Sequence, residues 1–359
     1  MRFSVIIPTY NCVAYLNRCL TALRLSAGPD YECICVDDAS TDETAAVAEQ
    51  YGVRAVRLER NGGPARARNR GAQEARGEIL VFIDSDVCVR PETLARIDAH
   101  FRAHPDTDAV MGSYDDTPAD PSFISQYKNL FHHYVHQQSG THAWTFWAGC
   151  GAIKRAVFLK VGGFDESYVR PCIEDIELGN RLYAARYRID LNPNIQATHL
   201  KRWTLGGLVR TDMRDRGIPW FLLMLRNRNM PADLNVTKTQ RVCVVLVGLI
   251  LTLVLVVVCA RLLGDPTGLV ALSAGLAAAA VATLLIYLNR DFYRFFARKR
   301  GWLFAIRTVP LHWLYYLYCG VSVVLAMAAL TWEKATGRRL VVVPSGKLQA
   351  VSSKVQAER

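Results

Sequence analysis

Apolar and polar positions change rhythm twice along the chain. Over residues 3–113, short apolar runs alternate with stretches of helical period, the pattern of a parallel sheet with helices on its faces. The runs predict strands at 3–8, 32–36, 55–58 and 79–83, with helices over 12–24, 42–51, 64–75 and 91–103. Ser40 or Thr41 is placed to cap the second helix. Arg90-Pro91 opens the fourth, with proline in a first turn that needs no N–H. Residues 114–142 are less regular and read as a loop or as a helix crossing one sheet edge. After residue 240 the rhythm gives way to nearly unbroken apolar runs at 242–263, 268–288 and 311–330, each long enough to cross a bilayer as a helix. The third run, opened by Pro310, carries Trp313, Tyr315, Tyr316 and Tyr318 at its start, as an interfacial belt would.

This pattern divides the chain into an α/β domain (1–204), interfacial amphipathic helices (205–241), a membrane region of two to three spans (242–330) and a polar tail (331–359). The N-terminus lacks a secretory signal, since Pro8 and polar residues stop its apolar run at once. The first 240 residues are therefore expected in the cytoplasm. Arg290, Arg294, Arg298, Lys299, Arg300 and Arg307 put the segment between spans two and three on that same side. A third crossing would export Lys334, Arg338, Arg339 and Lys347 against the positive-inside rule, so the third run reads alternatively as re-entrant or interfacial. The net charge of +11 follows this membrane edge, where anionic headgroups meet Lys and Arg. No nucleic-acid-binding motif accompanies it. Ten cysteines show no zinc spacing and are expected as free thiols in a reducing compartment.

Candidate chemistry collects where the strands end. The fourth strand runs into Asp84-Ser85-Asp86, and alternation along an extended chain points both carboxylates to one side. Such a pair repels unless a proton or cation intervenes, and a hard divalent cation holding substrate phosphates is one solution. A polar loop start is the other reading. The first three strands end in Pro8-Thr9-Tyr10-Asn11, Asp37-Asp38-Ala39-Ser40-Thr41-Asp42 and Asn61-Gly62-Gly63-Pro64-Ala65-Arg66-Ala67-Arg68-Asn69. Parallel strands share their carboxyl edge, so all four clusters meet there. A stacking ring, carboxylates, a helix start behind glycines and a metal suit a nucleotide carrying a diphosphate.

In this order the clusters resemble those of family 2 inverting glycosyltransferases of the GT-A fold, and the likeness covers residues 3 to about 204. The resemblance implies a GT-A (Rossmann-like) nucleotide-sugar-binding domain followed by a helical membrane region. It also implies a UDP-sugar donor held by Pro8, Thr9, Tyr10, Asn11, Asp38, Arg68, Asp84, Ser85 and Arg202, with Asp38 toward the nucleobase. Asp86 would be the direct ligand of Mn²⁺ or Mg²⁺, joined by Asp84 and His199. Trp147 and Gly149, before the Gly162-Gly163-Phe164-Asp165-Glu166 turn, and Trp203 would face the acceptor. Of Glu174-Asp175 at a helix start, Asp175 would be the catalytic base and Glu174 its fallback. Acidic residues at a helix start also simply favour its dipole. In membrane-bound processive synthases of this family a Gln stands in the place of His199, which puts polymer synthesis in doubt. His132, His133 and His136 share helical spacing but read as a solvated helix face.

The implied activity is transfer of a sugar to a lipid or lipid-linked hydroxyl at the membrane, with a polyprenyl-phosphate acceptor as the alternative. Two rivals come from other classes. A dinucleotide oxidoreductase lacks its glycine fingerprint, since Thr9-Tyr10-Asn11 follows the first strand. A catalytically inactive membrane scaffold is opposed by the intact acidic positions.

Overall fold

The computed structural model describes residues 1–227 and 234–340. The expected polar tail beyond 340, with Lys347, lies outside the described residues, as do 228–233 of the expected interfacial segment. The chain forms two compact units, Met1–Leu208 and Val209–Leu340.

The first unit opens with β1 (Phe3–Thr9), α1 (Val13–Arg24), β2 (Tyr31–Asp37), α2 (Thr44–Gln50), β3 (Arg54–Arg57), α3 (Pro64–Glu74), β4 (Ile79–Ile83) and β5 (Val87–Val89). It continues with α4 (Thr93–Ala103), β6 (Ala109–Tyr114), α5 (Phe123–Gln138), β7 (Cys150–Lys154), α6 (Arg155–Lys160), α7 (Glu174–Ala184), β8 (Ile189–His199) and α8 (Leu205–Arg210). The eight strands form one sheet ordered β3-β2-β1-β4-β7-β6-β8-β5. Strands β3, β2, β1 and β4 run parallel, as the alternating pattern requires. The sheet as a whole is mixed, because β7 pairs antiparallel with both β4 and β6. Every residue of β4 is buried, and β1 is nearly so, as central strands covered on both faces should be. Helix α5 fills the irregular stretch after β6.

Three local expectations change. First, β4 stops at Ile83, and the Val87 N–H donates to the Asp84 carbonyl at 3.0 Å. Residues 84–87 are thus a turn, so strand alternation does not set the direction of Asp84 and Asp86. Second, α2 starts behind Asp42, whose carboxylate accepts from the Thr44 N–H at 3.1 Å, whereas Ser40 and Thr41 bond to Asn11. Third, His133 and His136 are buried, not solvated. Their Nδ1 atoms lie 2.7 Å from the Tyr114 carbonyl and 2.9 Å from that of Gly112, fastening α5 onto β6. Burial holds the His136 imidazole neutral down to about 4.

The second unit begins with a π-helical segment (Thr211–Gly217) and α9 (Ile218–Asn227), then a 3₁₀ turn (Leu234–Val236). It ends with α10 (Lys238–Leu262), α11 (Leu269–Leu288), α12 (Arg290–Arg300) and α13 (Trp302–Thr336). Helices α10, α11 and α13 are long and apolar enough to cross a membrane, with best-window mean hydropathies of 3.4, 2.4 and 1.8. The third is longer than expected. Pro310 lies inside α13 and does not open it.

Candidate active site

The carboxyl edge of the parallel strands is braced by its own polar groups. Asp38 is 3% exposed, and its two oxygens accept the N–H groups of Gly62 at 2.9 Å and Gly63 at 2.7 Å. Gly63 has φ +88°, and a Cβ there would lie 2.6 Å from the Val169 backbone, so only glycine fits. Asp38 thereby fixes the turn that launches α3, with Pro64 in its first turn. Asn11 is occupied in the same way. Its N–H donates to Ser40 Oγ, and its Oδ1 accepts from the Thr41 N–H at 2.8 Å. Thr9 is buried and donates to the Val36 carbonyl, and Pro8 lies within β1. Of this cluster, Tyr10 presents an exposed ring at the edge.

Helix α3 delivers Arg68 to the centre. Its guanidinium, 5% exposed, donates to Asp84 Oδ1 at 2.7 Å and to Glu174 Oε1 at 2.9 Å, and lies 5.4 Å from the Phe164 ring centroid. Burial disfavours its charge, yet Asp84 and Glu174 more than compensate and hold its pKa above the ordinary arginine value. Glu174, also buried, accepts the Cys172 N–H through its second oxygen at 2.8 Å. It is a locked partner of Arg68, a poor position for the fallback base. Asn69, one residue on, clasps Phe164 from both sides. Its Nδ2 donates to the Phe164 carbonyl at 2.9 Å, and the Phe164 N–H donates to its Oδ1 at 2.8 Å.

Asp175 is half-buried. Its Oδ2 accepts the Ala148 N–H at 3.3 Å and its Oδ1 the Ile176 N–H at 2.8 Å. Helix α7 reaches this spot because Gly179 lets it touch the preceding loop: a Cβ there would sit 2.2 Å from the Phe146 nitrogen. Next to Ala148, the half-buried Trp147 indole covers Gly149, where a Cβ would lie 2.7 Å from the ring. The Gly149 carbonyl in turn accepts the Asp84 N–H at 3.4 Å. The base candidate, the aromatic wall and the β4 turn therefore form one contiguous group.

Asp86 belongs to a different partnership. Its Oδ2 lies 3.4 Å from His199 Nε2, and its carbonyl accepts the Leu200 N–H at 2.8 Å. Burial alone would raise the Asp86 carboxyl, but the His199 contact and the charges of His199 and Lys201 hold it below its ordinary value. His199 Nδ1 is 2.8 Å from Asn129 Oδ1, an acceptor, so Nδ1 carries the proton. Nε2 is left to face the Asp86 carboxylate, as a donor when it is protonated and, when it is not, as a lone pair beside a carboxylate oxygen, two ligands that a shared cation could use. The Tyr114 ring stacks on His199 at 4.5 Å and 12°, fixing its plane. Arg202 is exposed, whereas Trp203 is buried and takes Ser125 Oγ on its N–H at 2.7 Å. Ser85 is half-buried in the turn between the two aspartates.

Asn129, Tyr114, Phe164 and Lys201 were not among the expected site residues. Lys201, beside His199, and Phe164, inside the Gly162–Glu166 turn, carried a sequence signal; Asn129 and Tyr114 depend on α5 and β6 being brought to this edge. Among the described residues no group of three or more His, Cys, Asp or Glu side chains gathers to hold a metal. A carboxylate with an imidazole lone pair does fit a divalent cation whose remaining ligands are substrate phosphates and water.

Residues 4–162 match the glycosyl transferase family 2 model, and residues 129–202 match a model described as the N-terminal domain of galactosyltransferase. Poly(ribitol-phosphate) beta-N-acetylglucosaminyltransferase TarS of Staphylococcus aureus is 40% identical over 111 residues, 28% of this chain and only 19% of TarS. Validoxylamine A glucosyltransferase of Streptomyces hygroscopicus is 31% identical over 215 residues, about half of each chain. The chain thus spans a fifth to a half of these relatives. Mannosyltransferase PcManGT of Pyrobaculum calidifontis, solved with GDP-Man and Mn²⁺, shares the fold at TM-score 0.56 and 22% identity, covering 90% of this chain and 87% of that one. Residues 4–162 carry a glycosyltransferase family 2 domain of GT-A fold, in a chain that continues into helices apolar enough to enter a membrane.

Proposed function

We propose that the protein is a membrane-anchored, inverting, divalent-cation-dependent transferase that moves a sugar from a UDP-sugar to a hydroxyl of a lipid or lipid-linked acceptor. The observation that carries this reading is the division of the acidic groups. Arg68 joins Asp84 and Glu174, Asp86 faces His199 Nε2, and Asp175 is half-buried at the loop beside Trp147, with its oxygens on the Ala148 and Ile176 N–H groups.

The roles follow from that division. Tyr10 stacks on the nucleobase at the exposed edge, while Asp38 and Asn11 keep the surrounding turns in shape. Asp86 and His199 would hold Mn²⁺ or Mg²⁺, which when bound neutralises charge on the diphosphate. Arg68 keeps Asp84 in place, and exposed Arg202 adds positive charge near the leaving group. Asp175 Oδ takes the proton from the acceptor hydroxyl as its oxygen attacks the anomeric carbon opposite the diphosphate. Direct attack by the acceptor inverts the anomeric centre. The apolar helices α10 and α11 support a bilayer location, within reach of a lipid-borne acceptor.

The test uses full-length protein in nanodiscs with a panel of nucleotide sugars, Mn²⁺, Mg²⁺ or EDTA, and lipid extracts as acceptors. UDP release that needs the cation, a product of opposite anomeric configuration, and loss of at least 100-fold in Asp86→Ala are expected. Full activity in EDTA, or a product that retains configuration, overturns the reading.

A further inference from the structure

The second unit carries information about how it meets a bilayer that hydropathy alone does not. Helix α13 has 35 residues, about 52 Å at 1.5 Å per residue, against a hydrocarbon core of about 30 Å. Its middle is fastened to the base of the α10–α11 pair. Tyr316 donates to Asn289 Oδ1 at 2.7 Å, Asn289 Nδ2 lies 3.4 Å from Cys243 Sγ, and a Cβ on Gly320 would meet Val244 at 3.2 Å. From that point the two halves of α13 lead away to different partners. The first half packs on α12, where Phe304 stacks on Phe296 and His312 lies 4.1 Å from Phe292. The second half packs on the π-helical segment and α9. Tyr318 donates to Asp212 at 2.7 Å, Ser322 abuts Gly217, and Arg226 is ion-paired with Glu333 at 2.5 Å. Meanwhile α10 buries only Cys243 and Val247 among its described residues, both near its start. Beyond Val247 no residue of α10 is buried.

These contacts conflict with a third crossing. If the second half of α13 ran through hydrocarbon, α9 would run with it, level for level from Ser322 to Glu333. The chain from Asn227 would then have to return to α10, which meets α13 at the Tyr316 level through Cys243 and Val244, about 25 Å back along α13 from Glu333. The connecting residues 228–237 include Arg228, Asn229, Asp233 and Asn235 and are too few for a returning helix that spans that distance and turns twice. Lipid-exposed irregular polar backbone does not occur in the hydrocarbon region.

We infer that only α10 and α11 cross the bilayer, as a hairpin, and that α13 with α9 and α12 lies along the headgroup–acyl boundary. The occupant of the exposed apolar face of α13, made by Leu317, Val321, Val324, Leu325 and Trp332, is then the acyl boundary of an anionic bilayer. Exposed Arg294, Arg298, Lys299 and Arg300 on α12 supply the headgroup contacts, next to exposed Trp302 and Leu303. Two crossings return the chain to its starting side, so Lys334, Arg338 and Arg339 share that side with the catalytic domain, which removes the charge conflict of a third span.

The inference rests on the membrane reading above, and the test separates the two. The full chain, expressed in a bacterium, carries an epitope inserted between Pro266 and Thr267 and, in parallel versions, green fluorescent protein or alkaline phosphatase after Arg359. Expected are retention after alkaline carbonate, an epitope reached by antibody in spheroplasts, full fluorescence and phosphatase activity at background. An accessible epitope with an active C-terminal phosphatase means three crossings and overturns the inference while leaving the anchoring intact. A retained protein with a hidden epitope also overturns it, because the hairpin does not cross. Release by carbonate overturns the membrane reading itself.

Discussion

Arg68→Met isolates the charge design of the site. In the parent, a guanidinium 5% exposed joins Asp84 at 2.7 Å and Glu174 at 2.9 Å. Asp84 keeps 34% of its side-chain surface and can turn to water, but Glu174 keeps 5% and cannot. Removing one partner of a buried pair leaves an uncompensated charge, which costs about 3–5 kcal/mol. For a unit of roughly 200 residues that is a Tm drop of about 6–20 °C. The deficit must depend on pH. The lone carboxylate in the folded variant holds a proton that the unfolded chain has already lost, so acidification from pH 8 to 5 favours the folded form and narrows the gap to the parent. Replacing Glu174 as well, in Arg68→Met/Glu174→Met, removes the stranded charge and recovers most of the loss. The assay is thermal unfolding of the full chain in detergent, followed by a thiol-reactive fluorophore on its buried cysteines. A variant that melts within 2 °C of the parent at pH 8, or a double variant no more stable than the single one, would refute the reasoning.

The remaining expectations are narrower. Asp175→Asn is predicted to lower kcat at least 1,000-fold while the Kd for donor, measured by calorimetry, changes less than threefold; weakened donor binding would instead mark a structural role. Gly179→Ala forces a methyl to 2.2 Å from the Phe146 nitrogen and is predicted to cost at least about 1–3 kcal/mol and to lower kcat, whereas Gly140→Ala, with nothing within 4 Å, changes neither melting nor rate. Asp190 is buried, which raises its carboxyl, yet contacts from Thr107, Arg188, His142 and His100 bring it from 3.8 down to about 2. A depressed carboxyl stabilises the fold above its unfolded value and loses that contribution as pH falls through its folded one. Asp190→Asn is thus less stable than the parent at pH 7, with a melting gap that closes between pH 4 and 2; a gap unchanged over that range contradicts the assignment.

What the sequence disclosed and what it hid have a common physical cause. The four parallel strands and the helices between them were legible because each is a local run of consistent period, and their polar ends meet by topology alone. β5, β6, β7 and β8 were not legible in that way. β7 (Cys-Gly-Ala-Ile-Lys) has too few large apolar residues to announce a strand, and it is buried by its neighbours β4 and β6. The polar motifs were found as motifs, but their tasks were divided by contacts between residues far apart in the chain. Asp38, expected at the nucleobase, holds the N–H groups of Gly62 and Gly63. Glu174 and Asp175 are adjacent in sequence, yet one is sealed against Arg68, 106 positions away, and the other reaches the loop at Ala148. The histidines of α5 looked solvated because helical spacing cannot tell which face meets a sheet strand that had not been recognised.

That division also bears on the acceptor. Asp84, Asp86, Glu174 and Asp175 bring four carboxylates to one edge, and Arg68 is already shared by two of them. Asp86 faces His199, and Asp175 is the carboxylate that reaches the loop beside Trp147, where it accepts the Ala148 N–H. A phosphate acceptor would bring its own negative charge against this carboxylate and would have no use for its basicity. A hydroxyl gains from both, since the carboxylate attracts its proton and repels nothing. Activity with a neutral glycolipid or diacylglycerol is therefore expected to collapse in Asp175→Asn, whereas transfer to a polyprenyl phosphate, if it occurred, would rise as the repulsion was removed. Radiolabelled donor with both acceptors, offered to parent and variant in parallel, gives the two outcomes opposite signs. A variant that loses hydroxyl transfer but gains phosphate transfer would show that the fold is intact and that one carboxylate sets acceptor class. Equal, undiminished use of the neutral acceptor by the variant would remove Asp175 from the chemistry.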